Sequence, residues 1–273
     1  MKKEIENKLI DCIGIENVKL EEPMEKHTTF RIGGPADYFL CPQTAVIHVC
    51  KETGTPYFIL GNGSNLLVSD KGYRGAVIQI WKNMSEVSVE DETKIRAQAG
   101  AQLSKIASCA LEQSLEGFEF AAGIPGTLGG AVVMNAGAYG GELKDVLVEA
   151  TVLDTEGNVR TLKNEELELG YRHSIVKEKN YIVLEAVIEL KKGSADSIKA
   201  VMDDLKEKRV SKQPLDRPSA GSTFKRPEGH FAGKLIMDAG LRGFQVGGAQ
   251  VSEKHCGFVV NAGGATAEDV LIW

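Results

Sequence analysis

The sequence predicts a mixed α+β protein in three lobes, and three observations lead there. Helix-period apolar patterns stand near both ends and between them, period-two alternation fills the middle, and two apolar runs lead straight into glycine clusters. Together they divide the 273 residues into an α/β lobe over 1–75, a β-rich lobe over 76–210 and a small α/β lobe over 211–273.

In residues 2–13, Ile5, Leu9 and Ile13 fall at i, i+4 and i+8 and Gly14 follows as a C-terminal cap, which predicts an amphipathic helix. His27 to Tyr38 mixes hydroxyls, Arg31 and the Gly33-Gly34-Pro35 turn ahead of a short strand at Tyr38–Leu40, and its density of polar donors points to ligand contact. A helix over Thr44–Thr53 and a strand at Tyr57–Leu60 make a βαβ-like unit, with the next strand at Ala76–Ile80. Val87–Val89 and Ile95–Ala99 alternate around the polar turn Glu90–Thr93 as a hairpin does, and Leu103, Ile106, Ala107, Ala110 and Leu111 mark a helix. Strands follow at Val146–Leu153, Val159–Leu162 and Tyr181–Leu190. Ser194 caps a helix over Ala195–Lys208, after which Pro214, Pro218 and Gly221 break the pattern and set a boundary near 210. The last lobe carries a helix at Phe231–Ala239, strands at Phe244–Val246 and Gly257–Val260, and a helix starting at Thr266.

Composition excludes several classes of function. The formal net charge is −6 and no Lys/Arg block stands out, which argues against nucleic acid or an anionic membrane as partner. The N-terminus carries acidic residues before any apolar run, and no apolar stretch reaches the ~18 residues of a membrane span, so a cytoplasmic location is expected. Cys12, Cys41, Cys50, Cys109 and Cys256 include no CxxC pair and no Cys/His cluster at metal spacing; they read as reduced, mostly buried thiols, and no metal is expected.

The stretch from Phe118 to Gly141, FEFAAGIPGTLGGAVVMNAGAYGG, is dominated by glycine and alanine. Without Cβ atoms, successive amide N–H groups can converge on an anion or lie against a flat ring; the alternative is a loop that merely packs tightly against another segment. Pro125 between Gly123 and Gly126 rigidifies the turn, and a second cluster, Gly61-Asn62-Gly63-Ser64-Asn65-Leu66-Leu67, follows the Tyr57–Leu60 run, so one extended ligand held by both is the favoured reading. Gly61-Asn62-Gly63 lacks the third glycine of a dinucleotide fingerprint and no glycine loop runs into Lys-Ser or Lys-Thr, which disfavours Rossmann and P-loop sites.

The blocks HTTFRIGGPADY, GNGSNLLVSDKGYRGAVI, AGIPGTLGGAVVMNAGAYGGE, GYRHS, PSAGSTFKRP and KLIMDAGLRGFQVGGAQVSEKHCGFVVNAGGATAEDV, in this order and spacing, resemble the UDP-N-acetylenolpyruvoylglucosamine reductase family from His27 onward. The resemblance implies a vanillyl-alcohol-oxidase/PCMH-type FAD-binding fold spread over the first two lobes, with a small C-terminal α/β substrate domain. It implies non-covalent FAD, NADPH as hydride donor, and reduction of UDP-N-acetylglucosamine enolpyruvate to UDP-N-acetylmuramate in peptidoglycan synthesis, the nicotinamide and the nucleotide sugar using one site in turn. Residues Gly61, Asn62, Gly63, Ser64, Asn65 and Leu66 would then hold the FAD diphosphate. Gly123, Ile124, Pro125, Gly126, Gly129, Gly130, Asn135, Gly137 and Ala138 would approach the flavin.

Within the family's Gly-Tyr-Arg-x-Ser motif, Arg172 would stabilise the enolate, since a guanidinium stays protonated and grips a carboxylate bidentately. On residue type alone Arg172 reads equally as a turn arginine in a weak ion pair. Ser222 matches the proton donor to carbon; without the resemblance it is a turn former, and no Gly-x-Ser-x-Gly or His/Asp pairing supports a hydrolase. Tyr171, Lys225, Arg226 and His255 are substrate-contact candidates by motif position. Only Ile175–Asn180 separates GYRHS from the next strand, which matches the shorter, type II branch. The family pattern continues into a further strand bearing a catalytic glutamate, whereas this sequence ends at Trp273, so the chain is expected to bind ligands better than it turns over. Another FAD oxidoreductase of the same fold, acting on an alcohol or lactone, and a flavin or nucleotide-sugar binder without turnover are the competing readings. A monomer is expected.

Overall fold

In the computed structural model, which describes residues 2–42 and 46–272, helix α1 (Lys2–Ile13) leads into β1 (Val18–Pro23), β2 (Pro35–Leu40), α2 (Ile47–Glu52), β3 (Tyr57–Leu60) and β4 (Tyr73–Gln79). The strand order is β1-β2-β4-β3, antiparallel at β1/β2 and parallel elsewhere. Successive side chains of β2 reach opposite faces: Tyr38 and Leu40 join Leu9, Val49 and Cys50 beneath the helices, while Phe39 packs with Met24, Leu60 and Val77. With both faces covered, the inner strands β2 and β4 carry the apolar runs Tyr38–Leu40 and Ala76–Ile78 rather than an alternation. The expected βαβ unit forms, with β4 inserted between its strands; its expected helix start at Thr44 lies outside the described residues. A lobe boundary at 75/76 would cut β4 in mid-strand, because its pairing with β3 runs on from Ala76 to Gln79.

The second lobe contains β5 (Val87–Val89), β6 (Lys94–Gln98), α3 (Leu103–Glu112), β7 (Leu115–Glu116), α4 (Leu128–Met134), β8 (Gly137–Ala138), β9 (Gly141–Glu142), β10 (Leu147–Leu153), β11 (Val159–Lys163), α5 (Ile175–Glu178), β12 (Ile182–Glu189), β13 (Lys191–Lys192) and α6 (Ala195–Lys212). Its main sheet has the order β11-β10-β12-β6-β5 and is antiparallel throughout. Ile95, Ala97, Ala150, Val152, Ala186 and Ile188 share one core with Leu103, Ile106, Ala107 and Ala110 of α3, each large side chain contributing about 1.5–3 kcal/mol by leaving water. Helix α4 is the element that the glycine count hides. Leu128, Ala131 and Val132 bury one face, Asn135 ends the helix in the left-handed region at φ 41°, and a Cβ at Gly129 would stand 3.0 Å from that of Ala99. Helix α6 runs four residues past the expected Lys208, so a boundary at 210 falls inside its last turn.

Asp154 fastens the β10–β11 hairpin. Its Oδ1 accepts from the Glu156 and Asn158 amides at 2.9 and 2.8 Å, and its Oδ2 from Arg160 Nε at 2.7 Å. Burial works to raise its pKa, but the bonds from Asn158, Arg160 and Glu156 prevail and hold the carboxyl below the usual carboxylate range. A depressed folded pKa adds stability that is fully present above the unfolded value of about 4 and is lost as pH falls through the folded one. Asp154→Asn is therefore expected to lower Tm by several degrees at pH 7, and the gap to the wild type should narrow below about pH 4. A gap independent of pH in thermal melts would contradict this.

The third lobe comprises β14 (Ser219–Ser222), α7 (Ala232–Asp238), β15 (Gln245–Val246), β16 (Ala249–Val251), β17 (Phe258–Asn261) and α8 (Ala267–Leu271), with sheet order β14-β17-β16-β15. Phe30 and Ile32 enter its core beside Ala249, Val259 and Val270. Thr29 Oγ1 donates to Ser219 O at 2.7 Å, and Asn261 Nδ2 donates to Phe30 O at 3.3 Å. The Thr29 hydroxyl and the Phe30 carbonyl thus join the first lobe to the third. Asp70 works the same junction, its two oxygens accepting from the amides of Ala267 and Glu268 at 2.8 and 3.0 Å. Thr266 and Asp269 form a capping box, which accounts for that carboxylate structurally. All five cysteines are free; Cys50 and Cys256 are buried and the other three half-buried, and burial pushes the Cys50 thiol up to about 11. Among the described residues no helix is long and apolar enough to cross a membrane.

Candidate active site

The two glycine clusters meet. Asn62 Nδ2 donates to Pro125 O at 2.8 Å, and a Cβ at Gly61 would stand 2.4 Å from Thr127 Oγ1, so the first loop lies directly on the second. Gln79 Nε2, at 3.2 Å from Gly61 O, fixes the approach from below. Gly63 takes φ +63°, and a Cβ there would meet His27 O. Among the described residues, the amide N–H groups of Asn62, Gly63, Ser64 and Asn65 find no protein acceptor. The Thr127 hydroxyl, only 2 % exposed, is likewise without a hydrogen-bond partner. Four unpaired amides on a Gly-rich turn beside an orphaned buried hydroxyl make a neutral nest suited to a diphosphate, so these residues fit the FAD that the resemblance implies.

Several of the expected cofactor residues also hold the protein's own structure together. Asn135 is 1 % exposed and its side chain is fully engaged: Nδ2 donates to Glu142 Oε2 and Gly170 O, both at 3.0 Å, and Oδ1 accepts from the Lys144 amide. It pins the Gly170 turn and leaves only its backbone for a ligand. Gly129 is spent on packing against Ala99, and the Leu66 side chain turns into the core formed by Met24 and Phe39. Gly137 and Ala138 form half of the short β8–β9 ladder, while Gly126 O accepts from the Leu103 amide at 3.1 Å. Gly123, Pro125 and Gly130 remain exposed.

A cleft of about 700 Å³ opens beside the first loop. It collects Asn65, Tyr171, Arg172, Ser222, Lys225, Arg226 and His255, which brings both catalytic candidates and all four substrate candidates together. Arg172 is held in the left-handed region at φ 56° by paired bonds between Gly170 and His173, each 3.2 Å. A non-glycine residue costs about 1–3 kcal/mol there, and such strain collects at functional sites. No carboxylate lies within ion-pair distance of Arg172 among the described residues. The Lys144 ammonium, 3.0 Å away, holds the Glu142 carboxyl below its usual range, and the Arg172 charge adds to that effect. Tyr171 Oη accepts from the Arg226 amide at 3.1 Å, and the Arg226 guanidinium lies 4.0 Å from the Phe231 ring centroid.

Ser222 sits at the end of a strand, β14, where the sequence suggested a turn; its register partner is Phe258. Its Oγ has one long acceptor, Gly257 O at 3.4 Å. A Cβ on Gly257 would lie 2.9 Å from His255 Cε1 and 3.3 Å from Ser222 Oγ, so this glycine lets hydroxyl and imidazole share one stretch of backbone. Gly257 N donates to His255 Nδ1 at 3.1 Å, which in the neutral ring leaves the proton on Nε2. Thr127 and Gly257 escape sequence reasoning, because an unpaired buried hydroxyl and a space between side chains exist only in three dimensions. Glu168, His173 and Glu178 bring ligand atoms within 4.8 Å of one another on a largely exposed face.

Comparison with known proteins agrees with the geometry. The model of the "UDP-N-acetylenolpyruvoylglucosamine reductase, C-terminal domain" matches residues 213–272, and an FAD-binding domain matches residues 43–163. The UDP-N-acetylenolpyruvoylglucosamine reductase of Agathobacter rectalis is 59 % identical over 92 % of this chain and 85 % of that protein. The one from Clostridioides difficile is 53 % identical over 96 % of this chain and 88 % of its own length. The crystal structure of the Thermus caldophilus reductase superposes with a TM-score of 0.83 at 36 % identity, covering 93 % and 92 % of the two chains. p-Cresol methylhydroxylase, at 16 % identity and a TM-score of 0.52 over 70 % of this chain and 43 % of its own, shares the FAD-domain fold. The chain belongs to the UDP-N-acetylenolpyruvoylglucosamine reductase family.

Proposed function

We propose that this chain reduces UDP-N-acetylglucosamine enolpyruvate to UDP-N-acetylmuramate in cytoplasmic peptidoglycan synthesis, taking electrons from NADPH. The observation that carries this reading is that one cleft gathers an unpaired arginine, a weakly held serine hydroxyl and Asn65 of the diphosphate loop. Bound FAD supplies the two-electron relay between NADPH and the substrate double bond. Arg172 grips the substrate carboxylate, over which negative charge spreads as the double bond is reduced. Ser222 can turn its hydroxyl from Gly257 O, a long contact that is cheap to break, and deliver the proton to carbon. Lys225, which has no ion pair among the described residues, and the Arg226 backbone locked to Tyr171 line the wall where the diphosphate lies. A monomer is the expected state, and light scattering should return about the 29.5 kDa of one copy.

Two experiments test the cofactor half of this reading. Acid precipitation of the purified protein is expected to release a yellow supernatant, and flavin retained in the pellet would refute non-covalent binding. Thr127→Val should weaken FAD binding by about tenfold or more, since a hydrogen bond to a charged group is worth about 1.5–3 kcal/mol, while Thr127→Ser keeps it. Flavin-fluorescence titrations showing equal affinity for Thr127→Val and wild type would remove Thr127 from the site.

A further inference from the structure

Nothing at its own end aims the Arg172 side chain. Among the described residues its guanidinium has no hydrogen bond and no ion pair, and it lies over the ring of its neighbour Tyr171, centroid 5.4 Å away. Where the charge can reach is therefore set by the backbone beneath it, a left-handed position that carries a full side chain at φ 56°. Such strain persists only where the surroundings over-determine the conformation.

The surroundings that do so belong to the end of α4. Before Arg172, Gly170 O accepts from Asn135 Nδ2 at 3.0 Å. After it, Ser174 Oγ donates to Val133 O at 2.7 Å and accepts from the Lys177 amide at 3.3 Å, capping α5. Ser174 is 0 % and Asn135 1 % exposed, so water does not compete for either bond. The Asn135 side chain is itself braced, because Nδ2 also donates to Glu142 Oε2 and Oδ1 accepts from the Lys144 amide. The other end of α4 is anchored too, the Leu128 and Gly129 amides donating to Ala101 O and Ala99 O at 2.9 and 2.8 Å. This helix begins inside one segment assigned to the flavin, Gly123–Gly130, and ends on the other, Asn135–Ala138.

We propose that Asn135 and Ser174 are positioning residues for Arg172, bolting both ends of its turn to α4 so that the guanidinium meets the substrate carboxylate at a fixed place relative to the flavin. This rests on the role of Arg172 given under Proposed function. Both residues act through the arginine, so only a ligand that bears the carboxylate can feel their loss.

The test compares two nucleotide sugars on the FAD-loaded protein by titration calorimetry: UDP-N-acetylmuramate, which carries a carboxylate on its lactyl ether, and UDP-N-acetylglucosamine, which does not. Arg172→Ala is expected to cut the ratio of the first affinity to the second by about tenfold or more, the worth of a hydrogen bond to a charged group. Asn135→Gly keeps the left-handed backbone while deleting the amide, and Ser174→Ala removes the other bolt. Each should lower the same ratio several-fold and leave the affinity for UDP-N-acetylglucosamine in place. With Arg172→Ala already present, neither should lower the ratio further. Reoxidation of the NADPH-reduced flavin by the enolpyruvyl substrate should slow by about tenfold or more in both variants, within the ~10² that a misplacement of about 1 Å can cost. Asp154→Asn, which loosens the β10–β11 hairpin, should lower Tm and leave the ratio alone. Equal losses for the two ligands, losses that add to that of Arg172→Ala, or an unchanged ratio in both variants would overturn the proposal. An Arg172→Ala protein that keeps the full ratio would instead bring down the reading of Arg172 on which the proposal stands.

Discussion

Ser222→Ala is expected to leave reduction of the bound flavin by NADPH nearly intact while slowing transfer to the enolpyruvyl substrate by about 10²–10⁴, the range of general acid assistance. The asymmetry follows from the chemistry, because only the second half-reaction delivers a proton to carbon. Ser222 suits that task in this structure: its hydroxyl lines the cleft, and its one acceptor is Gly257 O at 3.4 Å. Gly257→Ala should act in the same direction with smaller effect, since the added methyl would stand 3.3 Å from Ser222 Oγ and 2.9 Å from His255 Cε1. Stopped-flow traces of the two half-reactions, measured separately, decide the matter. A loss well under tenfold in the second would remove Ser222 from the proton path, and equal slowing of both would indicate a damaged cleft.

Arg172→Ala should slow the same half-reaction by about 10²–10³, the usual consequence of deleting a preorganised charge at a developing anion. Alanine at φ 56° bears much the same backbone strain as arginine, so the folded state should survive the change, and unaltered thermal melts would show that. Arg172→Lys should recover part of the loss, because a single ammonium keeps the charge but not the two-pronged grip. If Arg172→Lys and Arg172→Ala lost the same amount, bidentate geometry rather than charge would be the controlling factor. If neither lost more than a few-fold, Arg172 would be a turn residue after all.

Periodicity made the long amphipathic elements legible: α1, α3 and the β5–β6 hairpin stand within a residue or two of expectation. Strands β1, β14 and β16 were not legible. The first, VKLEEP, is charged and ends in proline, and the second, SAGS, is too small to show a pattern. Helix α4 hid behind glycines whose cost in helix propensity is offset by burying Leu128, Ala131 and Val132. Position 75 lies mid-strand and position 210 in the last turn of a helix because local composition does not register hydrogen-bonded continuation. As for the site, the glycine loops alone announced a large ligand, while Arg172 and Ser222 stood out only through the family blocks, since a turn arginine and a turn serine look ordinary singly. Residues that stand out through a missing partner or a filled space, Thr127 and Gly257, carry no mark in one dimension.

The most direct measurement is anaerobic. The FAD-loaded protein is reduced with one equivalent of NADPH, UDP-N-acetylglucosamine enolpyruvate is added, and flavin absorbance is followed. The account predicts that the yellow colour returns faster than with UDP-N-acetylglucosamine alone, with UDP-N-acetylmuramate formed in step. A flavin that NADPH does not bleach, or that stays bleached when the substrate is added, would contradict it.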